Sequence, residues 1–179
     1  MSQSIGFFGA AETVTGSKHL LTLNGKKILV DCGIFQGRRE LSERNWQPFP
    51  FDPNELDAVI VTHAHLDHIG MIPKLVKEGY KGPIYCTRAT QGLAKISLPD
   101  SGRIQEEDAR FANKHGSRHK PALPLYTEQD AYACLKRFVP LPYFDFQPLP
   151  GGGTFRLCQL GIFWVLALPK STLRTANGF

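Results

Sequence analysis

Between Val59 and Gly70 the chain reads Val-Ile-Val-Thr-His-Ala-His-Leu-Asp-His-Ile-Gly, and no other stretch constrains the fold as tightly. Val59, Ile60 and Val61 form a β-branched run of the kind that fills a buried strand. The cluster His63, His65, Asp67 and His68 therefore begins where a strand leaves its sheet. His63 and His65, two apart in extended backbone, point the same way, and Asp67 and His68 follow as the chain turns. One histidine at a strand end is ordinarily a surface or packing residue. Three histidines and an aspartate within six positions, flanked by apolar Ile60, Val61 and Ile69, are costly to bury without a partner. Imidazole nitrogen and carboxylate oxygen suit Zn²⁺, and Mn²⁺ or Fe can also be held. The expectation is a site for two metal ions with His63, His65, Asp67 and His68 as ligands.

His-Ala-His-Leu-Asp-His resembles the His-x-His-x-Asp-His signature of the metallo-β-lactamase fold. The resemblance implies an α/β chain built as an αββα sandwich. It also implies one metal on His63 and His65, a second on Asp67 and His68, and a bridging hydroxide as nucleophile. Asp31 stands directly after the apolar run Ile28-Leu-Val30 and before Cys32-Gly33. By local pattern it either caps the following turn or is held for function. The resemblance favours the second, with Asp31 behind the ligands as the acceptor that orients them and Asp67 taking part in proton transfer.

Farther along, Asp100 to Lys114 reads by composition as a solvated charged helix. Together with Pro124-Leu-Tyr-Thr-Glu-Gln-Asp-Ala131 it resembles the pattern that follows the metal cluster in the β-CASP group, the RNA-processing nucleases of this superfamily. That resemblance implies hydrolysis of RNA phosphodiester bonds. Small-ester or thiolester hydrolysis is the competing enzymatic reading, and a non-catalytic metal-binding fragment the third.

In chain order, Ser4 to Ala10 reads as a first strand. Lys18 to Leu23 and Lys26 to Asp31 read as a hairpin around Asn24-Gly25, which tolerates the positive φ of a two-residue turn. Phe35 to Pro53 reads as a long loop with one helical turn, functional or simply packed. Gly70 to Gly79 has helical spacing, and Pro83 to Cys86 reads as a strand. Thr87 or Thr90 is expected to cap a helix through Leu98 that Pro99 ends, with a separate helix capped by Asp100 or Ser101 and stopped by Gly116. Thr127 is expected to cap a helix through Phe138, and His115 to Lys120 reads as a basic solvated loop.

The resemblance runs from about Gly6 to Leu157, and there the chain departs from it. The family pattern calls for Gly-His-x-Leu-Gly-Ser, whose histidine completes the first metal site, whereas this chain reads Gln159-Leu-Gly-Ile-Phe-Trp-Val-Leu-Ala167 and has no histidine after His119. Codons permitted for Gln159 onward, read two bases downstream, spell Thr-Gly-His-Ile-Leu-Gly-Ser-Ser. The expectation is therefore an incomplete sandwich: residues 1–158 are the N-terminal portion of the domain, 159–179 are a frameshifted or truncated tail, and the β-CASP insertion is absent. Poor solubility follows from apolar Phe163, Trp164, Val165 and Leu166.

With 179 residues, 42% of them hydrophobic, one core and one domain are expected. A net charge of +5 suits a polyanionic partner without requiring one, RNA being the partner implied for an intact relative, with a homodimer left open. Cys32, Cys86, Cys134 and Cys158 form no C-x-x-C pair and no secretory signal precedes them, so a reduced, cytoplasmic setting is expected. Leu160 to Leu168 is too short to span a bilayer.

Overall fold

The computed structural model describes residues 3–116, 121–160 and 163–167, with Leu160 and 163–167 described by backbone alone. The elements are β1 Gln3–Phe7, β2 His19–Leu23, β3 Lys26–Val30, α1 Arg39–Ser42, β4 Ala58–Ile60, α2 Leu66–Ile69, α3 Ile72–Lys77 and β5 Ile84–Thr87. There follow α4 Arg88–His115, α5 Glu128–Leu135, β6 Phe138–Leu141, β7 Gln147–Pro148, β8 Thr154–Leu160 and β9 Phe163–Ala167. Two short 3₁₀ turns, Glu43–Trp46 and Pro53–Glu55, sit in the long loop between β3 and β4.

The six strands β1 to β6 form one sheet in sequence order. β1, β2 and β3 pair antiparallel, then β3 to β6 run parallel. The β2–β3 hairpin turns at Asn24 (φ 50°) and Gly25 (φ 81°), as the Asn-Gly pair requires. Asp57 accepts the Lys27 amide and the Lys26 ammonium, pinning the start of β4 against that of β3.

Period-two alternation divides the sheet between two cores. Leu29, Val59 and Ile84 face a helical layer with Ile72, Leu75, Leu98, Tyr126 and Cys134. Ile28, Ala58 and Ile60 face Leu149, just after β7, and Phe155 and Leu157 of β8, in a second, three-stranded sheet β7–β8–β9. Helices, six-stranded sheet and three-stranded sheet are thus three successive layers of the expected sandwich. Phe163–Ala167, in the tail that departs from the family pattern, pairs antiparallel with β8 (Leu157 opposite Leu166).

Two expectations need correction. Arg88–His115 is a single 28-residue helix with Pro99 inside it, not two helices. Leu98, Pro99 and Gly102 are all buried, so packing on both sides of the proline holds a helix that its missing N–H would otherwise break. Asp100 caps nothing and instead pairs with Arg103 on the surface. The helix begun at Thr127, which forms a capping box with Asp130, stops at Leu135, and Phe138 opens β6. Because β6 lies at the edge of the sheet, Pro140 is tolerated within it.

Thr87 caps α4 by accepting the Thr90 amide. The basic loop 117–120 lies outside the described residues. Cys32, Cys86 and Cys134 are buried free thiols, each raised to about 12 by burial. No helix among the described residues is long and apolar enough to cross a membrane.

Candidate metal centre

The cluster lies at the carboxyl ends of the parallel strands β3 and β4. β4 stops at Ile60, residues 61–65 follow outside regular structure with His65 extended, and α2 begins at Leu66. Backbone hydrogen bonds lace this turn to the segments before β2 and after β3: Ser17 N donates to Asp67 O (2.9 Å), Cys32 N to His68 O (2.7 Å) and Ile34 N to Leu66 O (3.0 Å). Gly33 lies inside this lacing, and a Cβ there would fall 1.6 Å from Asp67 O, so only glycine lets the two segments approach.

The side chains gather as expected, in two pairs. His63 Nε2 lies 3.1 Å from His65 Nδ1. His68 Nε2 lies 3.5 Å from Asp67 Oδ2. The His63 and His68 rings are adjacent, with centroids 3.9 Å apart. Among the described residues no group of three or more His, Cys, Asp or Glu is arranged to hold a metal ion. The donor chemistry nevertheless fits a divalent cation. Nε2 of His68 and Oδ2 of Asp67 are facing acceptors unless a cation lies between them, be it a proton or a metal.

Asp31 stands behind the cluster, as the family pattern implies. It is buried, with φ of 60°, a left-handed conformation that aspartate tolerates better than most residues. Its Oδ1 accepts from Thr62 N (2.8 Å), its Oδ2 from Thr62 Oγ1 (2.8 Å), and Oδ2 also lies 2.7 Å from His68 Nδ1. Burial opposes the charged form of His68, but its hydrogen bond and charge pairing with Asp31 outweigh this and raise its pKa. His63 is lowered, first by burial and then by the charge of His68. One pair of neighbouring imidazoles is thus split by its surroundings.

Two participants escaped the sequence reading. Thr62, whose hydroxyl touches Asp31, His63 and His68, differs from any strand-end threonine only in preceding the first histidine. His19 is set beside Asp31 by the register of β2 on β3, in which it opposes Val30. Its Nδ1 is buried without a partner, and burial lowers its pKa. No local signal in the sequence distinguishes it.

Known proteins resemble this chain in sequence. Residues 16–98 match the model of the metallo-beta-lactamase superfamily. Ribonuclease TTHA0252 of Thermus thermophilus is 46% identical over 173 residues, which is 96% of this chain and 34% of that protein. Transcription termination factor FttA of Methanocaldococcus jannaschii is 36% identical over 139 residues, 78% of this chain and 20% of that one. The chain thus spans about a third, or less, of the length of these relatives. Among solved structures, a metallo-beta-lactamase superfamily protein from Sulfolobus tokodaii aligns over 88% of this chain and 56% of its own, at 18% identity and a TM-score of 0.49. By the family model and these relatives, the chain belongs to the metallo-beta-lactamase superfamily, in its β-CASP group.

Proposed function

We propose that this chain carries the metal-binding half of the active site of a ribonuclease that hydrolyses RNA phosphodiester bonds. The observation that carries the reading is the pair of convergent donor sets, His63 with His65 and Asp67 with His68, backed by the buried carboxylate of Asp31. Two divalent ions would be held, one by His63 with His65 and one by Asp67 with His68, zinc suiting the donors best and Mn²⁺ or Fe remaining compatible. Bound there they supply Lewis acidity toward the phosphate and lower the pKa of a water.

The chain's own residues do the rest. Asp31 holds the His68 ring so that Nε2 faces Asp67, and the backbone lacing around Gly33 holds Asp67 in place. Asp67 Oδ2, half-buried and 3.5 Å from His68 Nε2, is the atom we assign to receive a proton from the attacking water. The net charge of +5 favours approach of a polyanion. Two protein donors per ion fall one short of the three usual in a catalytic zinc site, so the isolated chain is expected to hold metal loosely and to cleave little.

The test compares the zinc-loaded chain with a version continued from Gln159 in the frame two bases downstream, on single-stranded RNA and on a thiolester. The reading expects salt-sensitive RNA cleavage in the continued version, abolished by His65→Ala, with little from the 179-residue chain. Robust thiolester turnover without RNA cleavage overturns the substrate class. Comparable cleavage by the shorter chain overturns the shortage of donors.

A further inference from the structure

The two donor pairs meet at one hydroxyl. Thr62 Oγ1 lies 2.8 Å from Asp31 Oδ2, 3.0 Å from His63 Nδ1 and 3.4 Å from His68 Nδ1. A hydroxyl has one proton, and an ionised carboxylate has none. Of the neighbours, only Asp31 is obliged to receive: its Oδ2 takes the Thr62 proton while its Oδ1 takes the Thr62 amide. Turning the hydroxyl proton toward His63 instead would leave two oxygens 2.8 Å apart with no proton between them.

The proton count then propagates to both rings. With its proton committed, Thr62 Oγ1 can only accept from His63, so His63 Nδ1 must carry a hydrogen. His68 Nδ1 faces Asp31 Oδ2 at 2.7 Å and Thr62 Oγ1 at 3.4 Å, both acceptors, so it must carry one too. In their neutral forms both rings therefore present Nε2 as a lone pair, and these are the nitrogens that face His65 and Asp67.

We propose that Thr62 is a positioning residue that fixes His63 as its Nδ1–H tautomer, using the carboxylate of Asp31 as the anchor for its own proton, while the same carboxylate holds His68 directly in that tautomer. The proposal rests on the metal reading above only for what those two lone pairs would bind. It adds a link that neither donor pair has alone, because the Asp31 carboxylate sets the ring state on one side of the site directly and on the other through Thr62.

Ring-nitrogen ¹H–¹⁵N spectra of the metal-free, full 179-residue chain test it directly, recorded on the alkaline plateau of the histidine titrations. Wild type and Thr62→Ser, which keeps the hydroxyl, should show His63 and His68 as Nδ1–H. Thr62→Val, which keeps the shape but not the acceptor, should shift His63 toward Nε2–H and weaken zinc binding by roughly 10- to 100-fold, with Thr62→Ser restoring both. An Nε2–H tautomer at His63 in wild type overturns the proposal, as does an unshifted His63 in Thr62→Val. If Thr62→Val does not fold, the wild-type and Thr62→Ser tautomers decide. Correct tautomers in a chain that binds no zinc would support the role of Thr62 while sinking the metal reading.

Discussion

Asp31→Asn isolates the carboxylate on which the site hangs. Asparagine also tolerates positive φ, so the 60° at this position adds little strain and the loss is confined to charge and hydrogen bonding. The native carboxylate is 2% exposed and serves Thr62 N at 2.8 Å, Thr62 Oγ1 at 2.8 Å and His68 Nδ1 at 2.7 Å. The amide keeps one acceptor, enough for Thr62 N, and turns an NH₂ toward the other two. Hydrogen bonds to a charged group contribute about 1.5–3 kcal/mol each. Thr62 and His68 are only half-buried and can turn to water, so the low end applies to both, and the total is about 3 kcal/mol. For a chain of this size that lowers Tm by roughly 6–12 °C.

Urea denaturation of the metal-free proteins, followed by circular dichroism, measures the difference. Its pH dependence has a definite sign. The folded pKa of His68 is raised, so the stability its pairing contributes is fully present below the unfolded imidazole value, about 6.5, and is lost as pH rises through the folded one. The gap between wild type and Asp31→Asn should be widest at about pH 5 to 6 and narrow toward alkaline pH. A gap under about 0.5 kcal/mol, the usual scatter of a neutral surface change, or one that widens with pH, would refute the reasoning.

Gly33→Ala forces a Cβ into the carbonyl of Asp67, and because both are backbone the segments must part; a loss of about 3 kcal/mol or more is expected by thermal melting, and an unchanged melt would contradict it. Lys18→Met removes the buried ammonium that donates to Gly16 O and Gly33 O, leaving two carbonyls without it at a cost of about 2–4 kcal/mol, read from the same melt; a neutral result would show that water replaces it. Pro99→Ala should leave the far-ultraviolet helical signal intact and stabilise by roughly 1 kcal/mol, since removing a helix-interior proline outweighs the buried ring; loss of helical signal would mean that the proline organises α4.

What could be read in the sequence was what local chemistry determines. The β-branched run before His63, His65, Asp67 and His68 announced a strand with four donors gathered at its exit, and Asn24-Gly25 announced a hairpin. Thr87 and Thr127 announced helix starts, because a hydroxyl cap acts within three residues. Asp31 could be ranked only with help from the family pattern, since the amide, hydroxyl and ring it serves lie in a segment 31 to 37 residues away. What stayed hidden depends on packing. Nothing local tells that both sides of Pro99 are buried, or that Phe138 belongs to an edge strand in which Pro140 does no harm. Gly33 reads as a turn glycine until Asp67 O is found against it. Thr62 and His19 matter only through neighbours that the sheet register brings close.

The measurement that tests the central claim most directly is a zinc titration of the metal-free chain against a chromophoric chelator, run beside the double variant His65→Ala with His68→Ala, which removes one donor from each pair. The account predicts weak but measurable zinc binding by the wild-type chain and none by the double variant. Equal zinc binding by the two proteins would contradict it, because the ion would then be held by residues outside His63, His65, Asp67 and His68.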